Sequence, residues 1–221
     1  MTEDEWVRAE DSVIGVAVAK LGHRRQRLLA SAMCRALWKW VSDATVTAAL
    51  EANDQFADTG KTKAALKRAR KSLENARLEL GDPAADYLAW QPNAEVHRAL
   101  WAASFACSEN AVGGTVHHAV QTLCNSDGLS LYGARRTLYP VFREVAGPAP
   151  PFAVAPEWRT DTAVLLARQM YESRDFSAMP ILADALQDAG CDSDDILSHC
   201  RDTAQVHVRG CWVVDLVLGK S

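Results

Sequence analysis

Residues 179–220 read MPILADALQDAGCDSDDILSHCRDTAQVHVRGCWVVDLVLGK, and they carry the clearest helix signals in the chain. Pro180 stands where a first-turn proline belongs, and Gly190 stands where a helix commonly ends. Between them the apolar residues recur at helical spacing: Ile181, Leu182, Ala185, Leu186 and Ala189. This pattern predicts an amphipathic helix that packs one face into a core.

The remainder of that stretch predicts two further elements. Asp192 or Ser193 is suited to start the next helix, and Ile196, Leu197 and Cys200 fall on its apolar side. After a polar loop, the same spacing returns in Trp212, Val213, Leu216 and Val217. The β-branched residues at 206–218 also permit a strand. Between the two interpretations we favour the helix.

Helical periodicity recurs along the rest of the chain, whereas the alternation typical of strands is scarce. Helices are expected at about 23–41, 43–57 and 61–80, and again at 83–90, 94–107, 111–124, 130–145 and 160–174. Turn-forming residues separate these segments. The sequence therefore predicts an all-α fold, an irregular or orthogonal bundle of about ten short helices.

One passage has the composition of a connector. Residues 147–156, GPAPPFAVAP, hold four prolines, which forbid a helix and favour an extended path. We expect an N-terminal helical bundle at 1–146 and a C-terminal helical segment at 157–221. Each part would otherwise expose large apolar stripes, so we expect the two to pack together as one cooperative unit.

Composition places the chain among folded cytoplasmic proteins. Of its 221 residues, 48% are hydrophobic and 24% charged, and the net charge of −4 is too small to indicate a partner. The acidic start MTEDEW is unlike a signal peptide, and the apolar run 13–19 is too short to span a membrane. Six irregularly spaced cysteines indicate reduced thiols.

The C-terminal segment resembles a known group of proteins. The runs ILADALQDAGCDSDDILSHCR and HVRGCWVVDLVLGK are similar to the end of a large family of bacterial proteins of unknown activity, common in planctomycetes. In that family a Cys-Arg-x-x-Trp pattern lies near the N-terminus, and Cys34-Arg35-Ala36-Leu37-Trp38 fits it in this chain. The resemblance implies a bacterial cytoplasmic protein and supplies no catalytic residues.

A cluster of thiols and imidazoles in the same segment suggests zinc, which prefers these ligands. The candidate ligands are Cys191, His199, Cys200, His207 and Cys211. Their spacing contains no C-x₂-C pair, and Cys200 and Cys211 also complete apolar stripes. Buried cysteine commonly packs as a small hydrophobic residue. We therefore expect core thiols and no bound cofactor, with structural zinc as the alternative.

No catalytic set is recognisable. A Cys211 nucleophile with His207 as base would need a lowered thiol pKa and a third orienting group. The aspartates at 192, 194 and 195 lack the glycine and terminal glutamate of a calcium loop. The sequence therefore favours a protein that is not an enzyme.

The segment 61–77 predicts the most basic helix of the chain. Seven cations lie on it, among them Lys67, Arg70 and Lys71. Clustered cations can bind a polyanion, but these are spread around the helix and no aromatic residue lies between them for base stacking. A solvated face is favoured over a nucleic-acid site.

The function best supported by sequence is a non-enzymatic interaction or adaptor module with a protein partner whose identity the sequence does not give. Many amphipathic helices and the absence of a convergent catalytic set support it. His207 and Arg209 lie in the loop 202–210, whose polar residues have no evident role in forming the fold. The candidate interaction residues are therefore His207, Arg209, Lys67, Arg70 and Lys71. A zinc- or thiol-dependent protein and a nucleic-acid-binding protein are the alternatives.

Overall fold

The computed structural model describes residues 1–37, 44–80, 94–108, 111–126, 128–148 and 154–220. These residues contain no strand and form a 3₁₀ turn at Pro156–Trp158 and twelve α-helices: α1 (Glu3–Arg8), α2 (Asp11–Ala19), α3 (His23–Ala36), α4 (Ala44–Thr59), α5 (Lys63–Glu79), α6 (Ala94–Ala106), α7 (Ala111–Ser126), α8 (Leu131–Ala146), α9 (Asp161–Ser173), α10 (Met179–Asp188), α11 (Asp194–Arg201) and α12 (Trp212–Leu218). The predicted all-α, multi-helix fold is confirmed. The helix expected at 83–90 lies outside the described residues, as do residues 149–153 of the passage 147–156.

The chain divides into two compact units, Met1–Tyr139 and Pro140–Ser221. The boundary lies inside α8 at Pro140, which has no backbone N–H to donate within the helix. The predicted division at 147–156 and the predicted single cooperative unit stay predictions. None of the helices in the described ranges combines the length and apolar character needed to cross a membrane.

The N-terminal unit is built around α3, which packs against α4, α6 and α7. A polar network lies within this core. Asn53 accepts a hydrogen bond from Arg27 Nη1 at 2.9 Å and donates to the Arg27 carbonyl and to Ser31 Oγ, each at 2.9 Å. All three residues are buried, so these bonds satisfy groups that water cannot reach.

The C-terminal unit packs α9, α10, α11 and α12 around one apolar core, whose largest members include Met170, Leu182, Leu186 and Trp212. Thr160 caps α9, since its hydroxyl accepts from the Ala163 N–H at 3.3 Å. Pro180 lies in the first turn of α10, as predicted.

Glycines end α10 and α12. Gly190 has φ +89°, and the Gly190 and Cys191 amides donate to the carbonyls of Gln187 and Leu186, each at 2.9 Å. These two bonds form a Schellman motif. Gly219 ends α12 in the same way, and the Lys220 backbone N–H donates to the Asp215 backbone carbonyl at 2.8 Å. Residues 212–218 are therefore helical, which confirms the helix over the strand.

Candidate metal centre

Four side chains with metal-binding atoms converge in the C-terminal unit. They are Glu144 near the end of α8, His199 in the last turn of α11, His207 in the following loop and Cys211 just before α12. One ligand atom from each lies within 4.8 Å of all the others. The carboxylate, two imidazoles and thiol thus form a compact group, the four-residue cluster.

A glycine allows the end of α8 to approach the start of α12. Gly147 has φ +73°, a conformation that side chains disfavour, and a Cβ atom added to it would lie 3.1 Å from the Trp212 Cβ. Arg143 Nη1 donates to the Gly147 carbonyl at 2.7 Å and holds this turn. The close approach brings Glu144, one turn earlier on α8, beside Cys211.

The contacts within the four-residue cluster are short. His207 Nδ1 lies 3.0 Å from Glu144 Oε1, and His199 Nε2 lies 3.2 Å from Glu144 Oε2. Cys211 Sγ lies 3.5 Å from His199 Nε2. The two rings meet edge to face, with their centroids 5.1 Å apart. The carboxylate therefore lies between two imidazoles, one of which also contacts the thiol.

The four-residue cluster is almost fully shielded from water. Glu144 and Cys211 are 0% exposed, and the side chains of His199 and His207 are 11% and 9% exposed. Within the described part of the chain, Glu144 Oε2 has no hydrogen-bond partner, although His199 Nε2 lies 3.2 Å from it. A buried carboxylate oxygen without a donor is costly, and it indicates that a further positive group belongs beside it.

Burial shifts the pKa of two members. It lowers the pKa of His199, an effect that the charge of Glu144 opposes, so the metal-free ring is favoured in its neutral form. Burial and then the charge of Glu144 raise the pKa of the Cys211 thiol well above its usual value. Cys211 therefore holds its proton at neutral pH unless a cation displaces it.

The raised pKa opposes the nucleophile hypothesis. A thiol that attacks a substrate needs a lowered pKa and access to the substrate, and Cys211 has neither. Its sulfur lies 3.5 Å from His199 Nε2 and also has hydrogen bonds with Glu144 and the Val214 backbone, whereas the sequence suggested His207 as its partner. The geometry instead suits a ligand role, in which metal binding removes the thiol proton.

The distances agree with one tetrahedral zinc ion. Usual zinc bond lengths and tetrahedral angles place neighbouring nitrogen, oxygen and sulfur ligands about 3.3 to 3.6 Å apart. The three contacts between Glu144, Cys211 and the two histidines span 3.0 to 3.5 Å. All four ligand atoms lie within 4.8 Å of one another, so the most distant pairs would have to approach by up to about 1 Å to hold the ion.

Trp212 also contacts the four-residue cluster. Its indole Nε1–H donates to His199 Nδ1 at 3.3 Å, and the two ring centroids lie 5.1 Å apart. His207 has Phe176 as a ring neighbour, at 6.1 Å. Aromatic groups thus cover both histidines.

Two cavities lie against the histidines. The larger, about 340 Å³, is lined by residues that include Arg174, Phe176, Cys200 and His207. The smaller, about 130 Å³, is lined in part by Arg143, His199 and Trp212. One cavity therefore adjoins each histidine of the four-residue cluster.

Of the five zinc candidates from the sequence, the structure brings three together: His199, His207 and Cys211. Cys191 and Cys200 are outside this group and belong to the apolar core, as expected for core thiols. Burial raises the pKa of Cys200 to about 12.

Glu144 was missed, and the sequence holds no pattern that would have found it. It lies 55 positions before His199 in a helix of ordinary amphipathic composition. A single glutamate among apolar residues is compatible with many roles, so only the folded geometry identifies it.

The candidate interaction residues lie in different places. Arg209 stacks over Tyr171, with its guanidinium carbon 4.4 Å from the ring centroid, and His207 belongs to the four-residue cluster. Lys67, Arg70 and Lys71 are exposed on α5 in the N-terminal unit, where Arg70 pairs with Glu74 at 2.9 Å. These residues do not form one surface within either unit.

Comparisons with known protein families, with curated proteins and with solved structures found no match to this chain. The resemblance to the planctomycete family therefore stays a prediction. The site has to be interpreted from its own geometry.

Proposed function

We propose that the C-terminal unit is a zinc-stabilised helical module in which Glu144, His199, His207 and Cys211 hold one zinc ion. The observation that carries the proposal is the buried Glu144 carboxylate: its Oε2 has no hydrogen-bond partner among the described residues, and one of its oxygens lies within 4.8 Å of three further ligand atoms. Zinc would supply the positive charge that this oxygen lacks.

Charge balance supports zinc. A carboxylate and a thiolate carry two negative charges, and two neutral imidazoles add none, so a divalent ion makes the buried complex neutral. Without a metal, the thiol keeps its proton mainly because it is buried, and also because a thiolate beside Glu144 would add a second buried negative charge.

The donor set narrows the choice of metal. Calcium and magnesium select oxygen ligands, whereas two imidazoles with a thiolate suit zinc and its neighbours among the transition metals. The compact arrangement of four ligands suits the tetrahedral geometry of zinc.

The site suits a structural role better than a catalytic one. Catalytic zinc sites commonly have three protein ligands and one position for water, whereas structural sites are closed by four protein ligands. In this unit four ligands are present, from α8, α11, the loop 202–210 and the residue before α12. Zinc would therefore fasten the end of α8 and the loop to the C-terminal helices.

The test compares two buried cysteines of the C-terminal unit. Cys211 and Cys200 are 0% and 1% exposed, but only Cys211 belongs to the four-residue cluster. Purified protein, kept reduced without a chelating thiol, is titrated with zinc and analysed for metal. We expect one zinc per chain in the wild type and in Cys200→Ser, and a loss of affinity of about 100-fold or more in Cys211→Ser, since a ligand is removed.

The two possible failures differ. A wild-type chain that binds no zinc would refute the module itself. Equal losses in both variants would mean that substitution of any core thiol disrupts the fold, and would leave Cys211 with no special role as a ligand.

The predicted interaction module is a second proposal, supported by two large apolar residues at the surface of the C-terminal unit. Leu165 on α9 is 65% exposed and Ile181 on α10 is 59% exposed. If they contact a protein partner, Leu165→Asp and Ile181→Asp will weaken its binding. Leu78→Asp, at an equally exposed position of the N-terminal unit, will not.

A further inference from the structure

The indole of Trp212 donates a hydrogen bond to Nδ1 of His199, one of the proposed zinc ligands. Trp212 Nε1 carries a hydrogen and is a donor only, so His199 Nδ1 must accept through its lone pair. In the neutral ring the proton is then on Nε2, the nitrogen that faces Glu144 and Cys211. With this hydrogen bond made, His199 therefore has the tautomer that cannot bind a metal through Nε2.

We propose that Trp212 competes with zinc for His199, so that zinc binds only when the indole hydrogen bond breaks. This inference rests on the proposed zinc site and adds a residue that opposes its occupation. A nitrogen lone pair of the His199 ring can either bind a metal or accept a hydrogen bond, but it cannot do both.

Both ways of binding His199 give the same result. If zinc binds Nε2, the proton of that nitrogen leaves and Nδ1 takes up a proton, so an N–H then faces the indole N–H. If the ring turns and zinc binds Nδ1, the lone pair that accepted from Trp212 is used by the metal. In either case the 3.3 Å hydrogen bond is lost.

The competition makes Trp212 a determinant of metal affinity. Partners of a zinc-bound histidine are usually acceptors, such as carboxylates and carbonyls, which support the bound tautomer. A donor in that place favours the free protein, and every metal must overcome the same opposing contribution. Ions that bind imidazole weakly would be excluded first.

Replacing the indole by a ring without a donor tests the proposal. Trp212→Phe keeps an aromatic ring and removes the N–H, and we expect it to bind zinc about 2- to 10-fold more tightly than the wild type, the fold-change equivalent to one net hydrogen bond. Trp158→Phe is the control, because Trp158 packs against the same core outside the four-residue cluster. Its zinc affinity should equal that of the wild type.

A measurement on the wild-type protein covers the case in which Trp212→Phe fails to fold. The chain has seven tryptophans, whose indole N–H groups give separate signals in ¹H–¹⁵N NMR spectra. The Trp212 signal is assigned from nuclear Overhauser contacts between its indole N–H and neighbouring protons. It should shift when zinc is added, because the hydrogen bond breaks.

The outcomes separate the two proposals. No zinc binding by the wild type refutes the zinc site. Zinc binding by the wild type, with weaker or unchanged binding in Trp212→Phe or with an unshifted Trp212 signal, leaves the zinc site intact and overturns the competition between Trp212 and zinc.

Discussion

Replacing Glu144 by glutamine tests the interpretation of the four-residue cluster at the residue that the sequence did not predict. Glutamine has nearly the same shape, so the substitution removes the charge and little volume. In the metal-free protein, the amide oxygen can still accept from His207, which lies 3.0 Å from Glu144 Oε1. In the zinc-bound protein, the substitution removes an anionic ligand and leaves the buried complex with a net positive charge.

The expected magnitude follows from the linkage between binding and folding. Zinc at 100 times its dissociation constant stabilises the folded wild type by about 2.7 kcal/mol. If loss of the carboxylate weakens zinc binding by about 100-fold, the same zinc concentration equals the new dissociation constant, and the gain falls to about 0.4 kcal/mol. In the metal-free protein the hydrogen bond with His207 is kept but becomes neutral, so the substitution costs about 1–1.5 kcal/mol, the difference between a bond to a charged group and a neutral bond.

The assay is urea unfolding of each protein with a chelator and with buffered zinc. Glu172→Gln is the matched control, because Glu172 is exposed on α9 and the substitution changes the net charge equally. We expect the control to keep the full zinc-dependent gain. A Glu144→Gln protein that gained as much stability from zinc as the wild type would show that the carboxylate is not a ligand.

Three further predictions concern buried groups of both units. Burial raises the pKa of Cys107 to about 12, so the unfolded chain releases the thiol proton at a lower pH than the folded chain does. The free energy of unfolding of the wild type should therefore fall by about 1.4 kcal/mol between pH 8 and 10, relative to that of Cys107→Ala. Denaturant unfolding at several pH values across that range measures this. Asn53→Ala should cost about 2–4 kcal/mol, because it leaves buried groups unpaired, whereas the exposed Asn75→Ala should change stability by less than about 0.5 kcal/mol. Gly147→Ala should destabilise more than Gly190→Ala, since both have positive φ but only Gly147 faces Trp212, and equal losses in thermal melts would contradict this.

The fold was largely predictable because its signals are local. Helical spacing, Pro180 in a first turn and Gly190 after a last turn each act within a few residues, and the structure has α10 between them. The ambiguity at 206–218 was also local, and the capping bonds around Gly219 accompany its helical form. Apolar spacing likewise identified Cys200 as a core residue.

The candidate site was only partly predictable because it depends on contacts between distant segments. His199, His207 and Cys211 lie within thirteen consecutive residues, so their shared chemistry was visible in the sequence. What the sequence could not decide was which cysteine joins the histidines. Cys200 is adjacent to His199 in the chain, yet neighbouring residues of a helix point in different directions, and Cys211 is the one that contacts the ring.

Glu144 and Trp212 act on the proposed zinc site in opposite ways. The carboxylate oxygen without a donor favours a cation, whereas the indole donor favours the metal-free tautomer. A polar network built only for stability would be expected to satisfy the carboxylate within the protein, and a site built only for tight metal binding would be expected to place an acceptor beside His199. In the two proposals taken together, the indole hydrogen bond lowers the zinc affinity of a site whose role is structural.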